Sequence, residues 1–534
     1  KYYLVLLMPF GDKIYSQTLK IITLSLKTLI ITLMVNSGSS AQEHQTIRVA
    51  GNTISYSSPI VTEIDGNVEN GKEIAIASLD GELSVAKLDG TLIWSVSLPS
   101  KSCKNSSSTN KAFSSPAVGD LFGNGQKYVV IGYGGFGSRS CPGGVAAYKG
   151  STGELLWNFD LLKFGKKEKF GAMSHGVFST PALADTNGDG RLEIAFGSFD
   201  RNVYLLNADG SVRWYYNAAD TVWSSATFAD VNGDGKLEII IGTDISANKF
   251  LRPPTKNGGY VYAFKSDARK KKKITFRDKS AYFWQTYLDQ VVYSSPVIAD
   301  VLPGSPGKEV LVGSGCYFPE RSNNKKGKWI KILRLRDGRV IQTLNTSGCS
   351  PSSVAVADIN HDGALDVVAS VNGTSAIGGD GYSRIFAFTP SQYRTLWATV
   401  PYYRGRNDGW GGHFQSPVIG DVDNNGNLDV AVTHGAGIHI FSGITGSQLS
   451  CSTSSCNGSL NLNIGTSVKN SPAIDDIDGD GNLEVVGGGS SNGAAIHIFS
   501  IKVHIEDPVG FRSPFNTIPW PHARGNNLRN GIYN

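Results

Sequence analysis

The chain has 534 residues, 40% hydrophobic and 18% charged, which excludes a disordered protein and allows several domains or one large repeat architecture. Its 63 glycines follow no triplet period, so collagen is excluded and many tight turns are indicated. A net charge of +5 over this length, with one basic cluster at residues 269–273, excludes nucleic acid as the main partner.

At the amino end Lys20 and Lys27 flank an apolar run at residues 28–35, followed by the small residues Ser39 and Ala41. That order is a secretory signal with cleavage near residue 41, and Met8 is an alternative start within it. The run is far shorter than the roughly 20 apolar residues that span a bilayer, so no stable membrane span is expected after cleavage. Export to the extracellular space, the cell surface or a periplasm agrees with an even number of cysteines, six.

From Ser57 onward one segment recurs eight times, opening at Ser57, Ser114, Ser179, Ser224, Ser294, Ser352, Ser416 and Ser471 with SSPxxxD or a variant of it such as STPALAD, SSATFAD or SPVIGD. Each copy continues into a second pair of Val-, Ile- and Tyr-rich runs divided by a turn, as in GELLWNFD and GSVRWYYN, so one repeat is four antiparallel strands, a to d. Eight such repeats predict an all-β chain folded as a single β-propeller of eight four-stranded blades, with seven as the alternative if the divergent first copy is incomplete. The propeller covers residues 42–505, and residues 506–534 are expected as a strap that closes the ring or packs on it. The strand that completes the ring is expected from TIRVAGNTI or from the tail.

Five a–b turns carry oxygen side chains at alternate positions and a carboxylate at the ninth. In blade 3 these are Asp185, Asn187, Asp189 and Glu193; in blade 4, Asp230, Asn232, Asp234 and Glu238. Blade 6 has Asp358, Asn360, Asp362 and Asp366; blade 7, Asp421, Asp423, Asn425 and Asp429; blade 8, Asp476, Asp478, Asp480 and Glu484. A hard cation takes six to eight oxygens, and the seventh residue (Arg191, Lys236, Ala364, Asn427 or Asn482) would add its backbone carbonyl. All-oxygen ligands favour Ca²⁺ over zinc or copper, at about five structural sites. An Asp/Asn/Gly turn that needs no ion is the competing reading. Blades 1, 2 and 5 lack the pattern: Phe122 and Tyr128 replace oxygens in blade 2, and a Pro-containing turn follows Asp300 in blade 5.

The DxNxDGxxE turn inside a repeat opening SSPxxxD resembles the FG-GAP and VCBS propeller repeats of integrin α-subunits and many bacterial surface proteins, over nearly all of residues 57–501. The c–d hairpins also resemble PQQ-type blades. The resemblance implies structural calcium and a role in adhesion or recognition.

The a–b turns share one face of such a disk, and the long b–c and d–a excursions lie on the other, where a rigid scaffold presents binding loops. Cysteine placement on that face pairs Cys103 with Cys141, Cys316 with Cys349 and Cys451 with Cys456, among 15 connectivities. The cluster Tyr402, Tyr403, Arg404, Arg406, Asp408, Trp410 and His413 is the candidate ligand site at the channel mouth, and His175 is expected at a similar position. Sequons stand at Asn105, Asn345, Asn372 and Asn457. The favoured function is a secreted or surface-attached module binding a carbohydrate or an extracellular protein. The alternatives are a polysaccharide lyase using His413 with Arg406, or a structural subunit of an extracellular complex. A quinone-dependent dehydrogenase is disfavoured because no adjacent Cys-Cys pair occurs.

Overall fold

A computed structural model of the chain describes residues 41–99, 112–135, 141–168, 174–251, 254–267, 273–274, 278–318, 327–374, 379–400, 415–451, 460–502, 519–526 and 528–529. In every repeat the β-branched and aromatic runs form strands, and Gly-containing turns reverse the chain between them. The first copy is complete, with strands Ile60–Thr62, Glu73–Ala77, Glu82–Lys87 and Leu92–Ser97 in one antiparallel sheet. The protein is therefore an all-β propeller of eight four-stranded blades, and the seven-blade alternative falls. In blade 7 the described ladder has three strands, Val418–Gly420, Asp429–His434 and Gly437–Ser442, with Gln448 bridging to Phe441 beyond them.

Ring closure comes from the amino end. Strand β1 (Ala41–Arg48) pairs antiparallel with Ala494–Lys502 over eight residues, from Ala41 opposite Lys502 to Arg48 opposite Ala495. The last blade is thus made from both ends of the chain, and unrolling the ring would break this ladder.

The core lies between blades, since each sheet buries its faces against its neighbours. Val203 and Trp214 of blade 3 pack with Phe228 and Tyr262 of blade 4 in one fully buried cluster. Outer-strand tryptophans fix the blade-to-blade register. The indole N–H of Trp94 donates to Gly150 O (2.6 Å), Trp157 to Ala208 O (2.9 Å), Trp284 to Leu335 O (2.8 Å) and Trp397 to Gly443 O (2.6 Å), each in the next blade's c–d turn. A glycine of the same turn lies under the ring: a Cβ on Gly210 (φ +78°) would sit 2.6 Å from Trp157.

The excursions decorate this frame. Helix α1 (Leu161–Glu168) occupies the link from blade 2 to blade 3, and residues Lys273–Ile274 of blade 4's long c–d turn add a parallel fifth strand to blade 3. Cys316 is bonded to Cys349 with a Cα–Cα distance of 5.5 Å, tying a b–c turn to the following link. Cys141 is also disulfide-bonded. The side chains of Cys103, Cys451 and Cys456 lie outside the described residues. No helix among the described residues is long and apolar enough to cross a membrane.

Residues 519–529 run across the inner strands. Trp520 bridges Ile419 of blade 7, Pro521 O accepts from Ile474 N of blade 8, His522 Nε2 accepts from Val61 N of blade 1, and Leu528 O accepts from Leu183 N of blade 3. The channel is filled at that level by the chain's own tail.

Candidate functional site: the acidic turns and the bowl at the channel mouth

Seven of the a–b turns share one device. The carboxylate at the start of strand b, ninth in the turn in five blades, tenth in blade 5 and eleventh in blade 1, turns back and accepts the backbone N–H that follows the end of the inner strand: Glu73 from Ile64 (2.7 Å), Glu193 from Thr186 (2.9 Å), Glu238 from Val231 (2.9 Å), Glu309 from Val301 (3.0 Å), Asp366 from Ile359 (3.1 Å), Asp429 from Val422 (3.1 Å) and Glu484 from Ile477 (2.9 Å). The first-position Asp closes each turn from the other side. Asp185 accepts from the N–H groups of Asn187, Gly188 and Gly190, and Asp230, Asp358, Asp421 and Asp476 do the equivalent. In blade 2, where Tyr128 replaces the ninth carboxylate, Phe122 and Tyr128 pack edge to face at 5.3 Å.

The remaining oxygens decide which turns suit a cation. Asp421, Asp423 and Asp429 in blade 7, and Asp476, Asp478 and Glu484 in blade 8, bring carboxylate atoms within 4.8 Å of one another. So do Glu63, Asp65 and Glu73 in blade 1, one of the three blades set aside in the sequence as lacking the pattern. Buried Oε1 atoms of Glu73 and Glu484 have no protein partner, so these sets fit a hard, oxygen-seeking ion. Burial and then the charge of Asp423 push Asp429 up to about 8, and burial then Asp478 push Glu484 up to about 7, against the backbone N–H bonds that favour ionisation. Blades 3 and 6 differ, because Arg213 lies 3.1 Å from Glu193 Oε1 and Thr389 donates to Asp366 Oδ1 at 2.5 Å. Their ninth carboxylates are satisfied by protein.

The Ser-Ser pair precedes each inner strand and the acidic turn follows it, so the two lie at opposite ends of that strand. The first serine ties its inner strand to strand b: Ser179 Oγ accepts from Gly197 N (3.0 Å) and Ser224 Oγ from Gly242 N (3.1 Å). The second serine links blades in a ring. Ser58 N donates to Ser115 Oγ (2.9 Å), Thr180 N to Ser225 Oγ (2.8 Å), Ser225 N to Ser295 Oγ (3.0 Å), Ser416 N to Ser471 Oγ (2.6 Å) and Ser471 N to Ser58 Oγ (2.9 Å). Each of these hydroxyls spends a lone pair on the neighbouring blade and keeps its own proton for the channel.

Above this hydroxyl ring stands an aromatic collar. The residue before the Ser-Ser pair is Tyr56, Phe113, Phe178, Trp223 and Tyr293 in blades 1 to 5, and all five are half-buried. Phe113 stacks on Phe178 at 4.0 Å, Phe178 lies 5.2 Å from Trp223, and Trp223 lies 4.8 Å from Tyr293. Lys469 continues the collar in blade 8, with Nζ 3.0 Å from Tyr56 Oη and 5.1 Å from the ring centre. Collar and ring enclose an open bowl with a cavity volume of about 110 Å³, and Ala523 and Arg524 of the tail form its floor.

The bowl was not among the sites read from sequence, although an aromatic before the serines in five consecutive copies was its signal. The sequence-derived cluster Tyr402, Tyr403, Arg404, Arg406, Asp408, Trp410 and His413 lies outside the described residues. His175 departs from expectation: it is 5% exposed, is not part of the bowl lining, and burial lowers its pKa. Of the described sequons, Asn345 is exposed, whereas Asn372 is buried and its backbone pairs with Cys349.

Repeats, ring and acidic turns define a β-propeller with carboxylate-rich a–b turns, and comparison with known proteins agrees on the repeats. The FG-GAP-like repeat matches residues 185–241 and the FG-GAP repeat matches residues 222–264. The chain is a β-propeller that carries FG-GAP repeats over residues 185–264. FG-GAP repeats generally bind calcium. The chain is similar to a lambda-carrageenase of Pseudoalteromonas sp, 33% identical over 141 residues, covering 26% of this chain and 12% of that protein. It is also similar to a lambda-carrageenase of Pseudoalteromonas carrageenovora, 34% identical over 117 residues, covering 22% and 10%. The match thus spans about a tenth of the length of these relatives. Among solved structures, Saccharomyces cerevisiae Sqt1 (TM-score 0.52, 10% identity, 87% of this chain and 100% of that one) and the exotype rhamnogalacturonan lyase YesX (TM-score 0.51, 16% identity, 85% and 75%) share the fold.

Proposed function

We propose that this chain is a secreted or surface-held propeller, stabilised by calcium in its acidic turns, that binds a carbohydrate in the bowl on the opposite face. The aromatic collar carries this reading. Half-buried rings at the rim offer flat apolar faces to the C–H face of a sugar, and the hydroxyl ring below supplies directional donors to its oxygens. A rigid ring holding both sets keeps the ordering cost of binding low. Calcium is supported by the convergent carboxylate sets of blades 1, 7 and 8, and in blades 1 and 8 a divalent ion would satisfy unpartnered buried oxygens of Glu63, Glu73 and Glu484.

A polysaccharide-acting enzyme is the second reading, favoured by the names of the two similar proteins. The described lining of the bowl holds no carboxylate and no histidine to serve as a base, so a lyase would need His413 and Arg406 from outside the described residues.

The test is a glycan array probed with the calcium-loaded protein, followed by calorimetry on retained glycans. Phe178→Ala and Trp223→Ala are expected to weaken binding about tenfold each while the calcium-dependent melting shift stays intact. An array that retains nothing sinks the carbohydrate reading. Incubation with a retained polysaccharide separates the two readings, because new reducing ends or unsaturated sugars would appear only with an enzyme.

A further inference from the structure

Two guanidinium groups are buried in the tail, and the fold treats them differently. Arg529 is fully buried and spends its N–H groups on the backbone oxygens of Pro116 (3.3 Å), Ala523 (2.5 Å), Ser58 (3.4 Å) and Pro59 (2.8 Å). It locks the plug to blades 1 and 2. Arg524 is 4% exposed, yet its Nε and Nη2 have no partner, and its one contact is a long 3.5 Å approach of Nη1 to Thr180 O. Its backbone is held in the left-handed region at φ +68°, a conformation that a side chain other than glycine adopts only under constraint.

An unpaired buried charge is among the costliest groups a fold can keep. Arg524 borders the bowl from below, where the hydroxyls that each accept one bond from the neighbouring blade retain a proton to donate. Among the described lining residues the charged groups are Arg524 and Lys469, both cations. A site that offers donors and positive charge, with no carboxylate, is complementary to an anion, and guanidinium is the side chain best shaped to take two oxygens of one acidic group.

We propose that Arg524 is the anion-recognising residue of the bowl, taking the sulfate ester or carboxylate of an acidic saccharide whose ring lies against Phe178 and Trp223. The inference rests on the carbohydrate reading for the saccharide, and on Arg524 alone for the charge.

The experiment titrates the full chain at low ionic strength with a sulfated galactan tetrasaccharide, tetragalacturonate and neutral galactotetraose, in parallel with melting curves in sodium sulfate and in sodium chloride of equal ionic strength. Wild type is expected to bind one acidic probe at least tenfold more tightly than the neutral one, and whichever of the two it prefers identifies sulfate or carboxylate. Arg524→Gln should abolish that preference and raise the ligand-free Tm by removing the unpaired charge, whereas a purely structural arginine would lower Tm on substitution. Arg524→Lys should restore part of the preference. Retention of the preference in Arg524→Gln, or neutral binding without any preference in wild type, overturns the inference and leaves the carbohydrate reading standing. Binding of no saccharide, with sulfate still raising the wild-type Tm and Arg524→Gln abolishing the effect, overturns the saccharide and keeps the anion site. If Arg524→Gln does not fold, the wild-type arms decide: absence of both the acidic preference and the sulfate-specific melting shift overturns the proposal.

Discussion

Glu309 isolates what the carboxylate at the start of strand b does in a turn without the alternating oxygens. It is fully buried, and its Oε2 accepts from Val301 N (3.0 Å) and Leu302 N (3.2 Å). Burial pushes its pKa up to about 7, partly offset by those two bonds. Glu309→Gln keeps an acceptor in place and should change stability at pH 7 by less than about 1 kcal/mol, whereas Glu309→Ala strands two buried N–H groups and should cost about 3 kcal/mol in urea titration. Equal effects of the two substitutions would refute the acceptor role. The glutamate stands in the sequence as the KE before a strand, but a pattern that demands four oxygens passes over it. The reach of one carboxylate back to an N–H eight residues earlier is set by the folded turn, so spacing alone hides it.

Turns are the element in which sequence and structure meet most directly. Trp157 and Gly210 lie 53 positions apart, and each is ordinary in isolation: an aromatic in an outer strand, a glycine in a hairpin. The ring brings them into contact, so Gly210→Ala forces both an unfavourable φ of +78° and a Cβ 2.6 Å from the indole. We expect a loss of about 3 kcal/mol, read from the urea midpoint, and a variant within about 0.5 kcal/mol of wild type would refute the docking account. The acidic turns make a pH prediction. Burial holds Asp429 at about 8 and Glu238 and Glu484 at about 7, above the ordinary carboxyl values of 3.8 and 4.5. The metal-free folded protein therefore keeps protons that the unfolded chain releases, and these groups make its stability fall as pH rises from about 4 to about 8. A bound divalent ion favours the ionised carboxylates, so the gain in Tm from calcium over chelator should grow between pH 5 and pH 8. A gain independent of pH would count against cation binding at these turns.

At the scale of the whole molecule the two chain ends do separate work. Strand β1 closes the ring by eight paired residues, and the tail fills the channel and forms the bowl floor. A chain ending at residue 518 should keep the blades and the calcium effect, since both are built before that point. It should melt roughly 5 °C or more below the full chain, because the N–H groups of Ile419, Ile474, Val61 and Leu183 lose their partners together. It should also lose any anion preference, as Arg524 is removed with the plug. An unchanged Tm would mean that the tail contributes no stability to the ring.

The sequence by itself determined the architecture, because the repeat, the strand periodicity and the turn residues are local, and eight copies of a unit that cannot bury its own faces leave a closed ring as the stable arrangement. It also determined the chemistry of the acidic turns, since a nine-residue loop carries its ligands within itself. Tertiary structure decided which end closes the ring, which carboxylate sets converge, and that a bowl exists at all. The bowl takes one side chain from each of many blades and its floor from a tail far away in the chain, so no window of sequence contains it. Arg524 becomes unusual only after the ring has closed around it and removed its water.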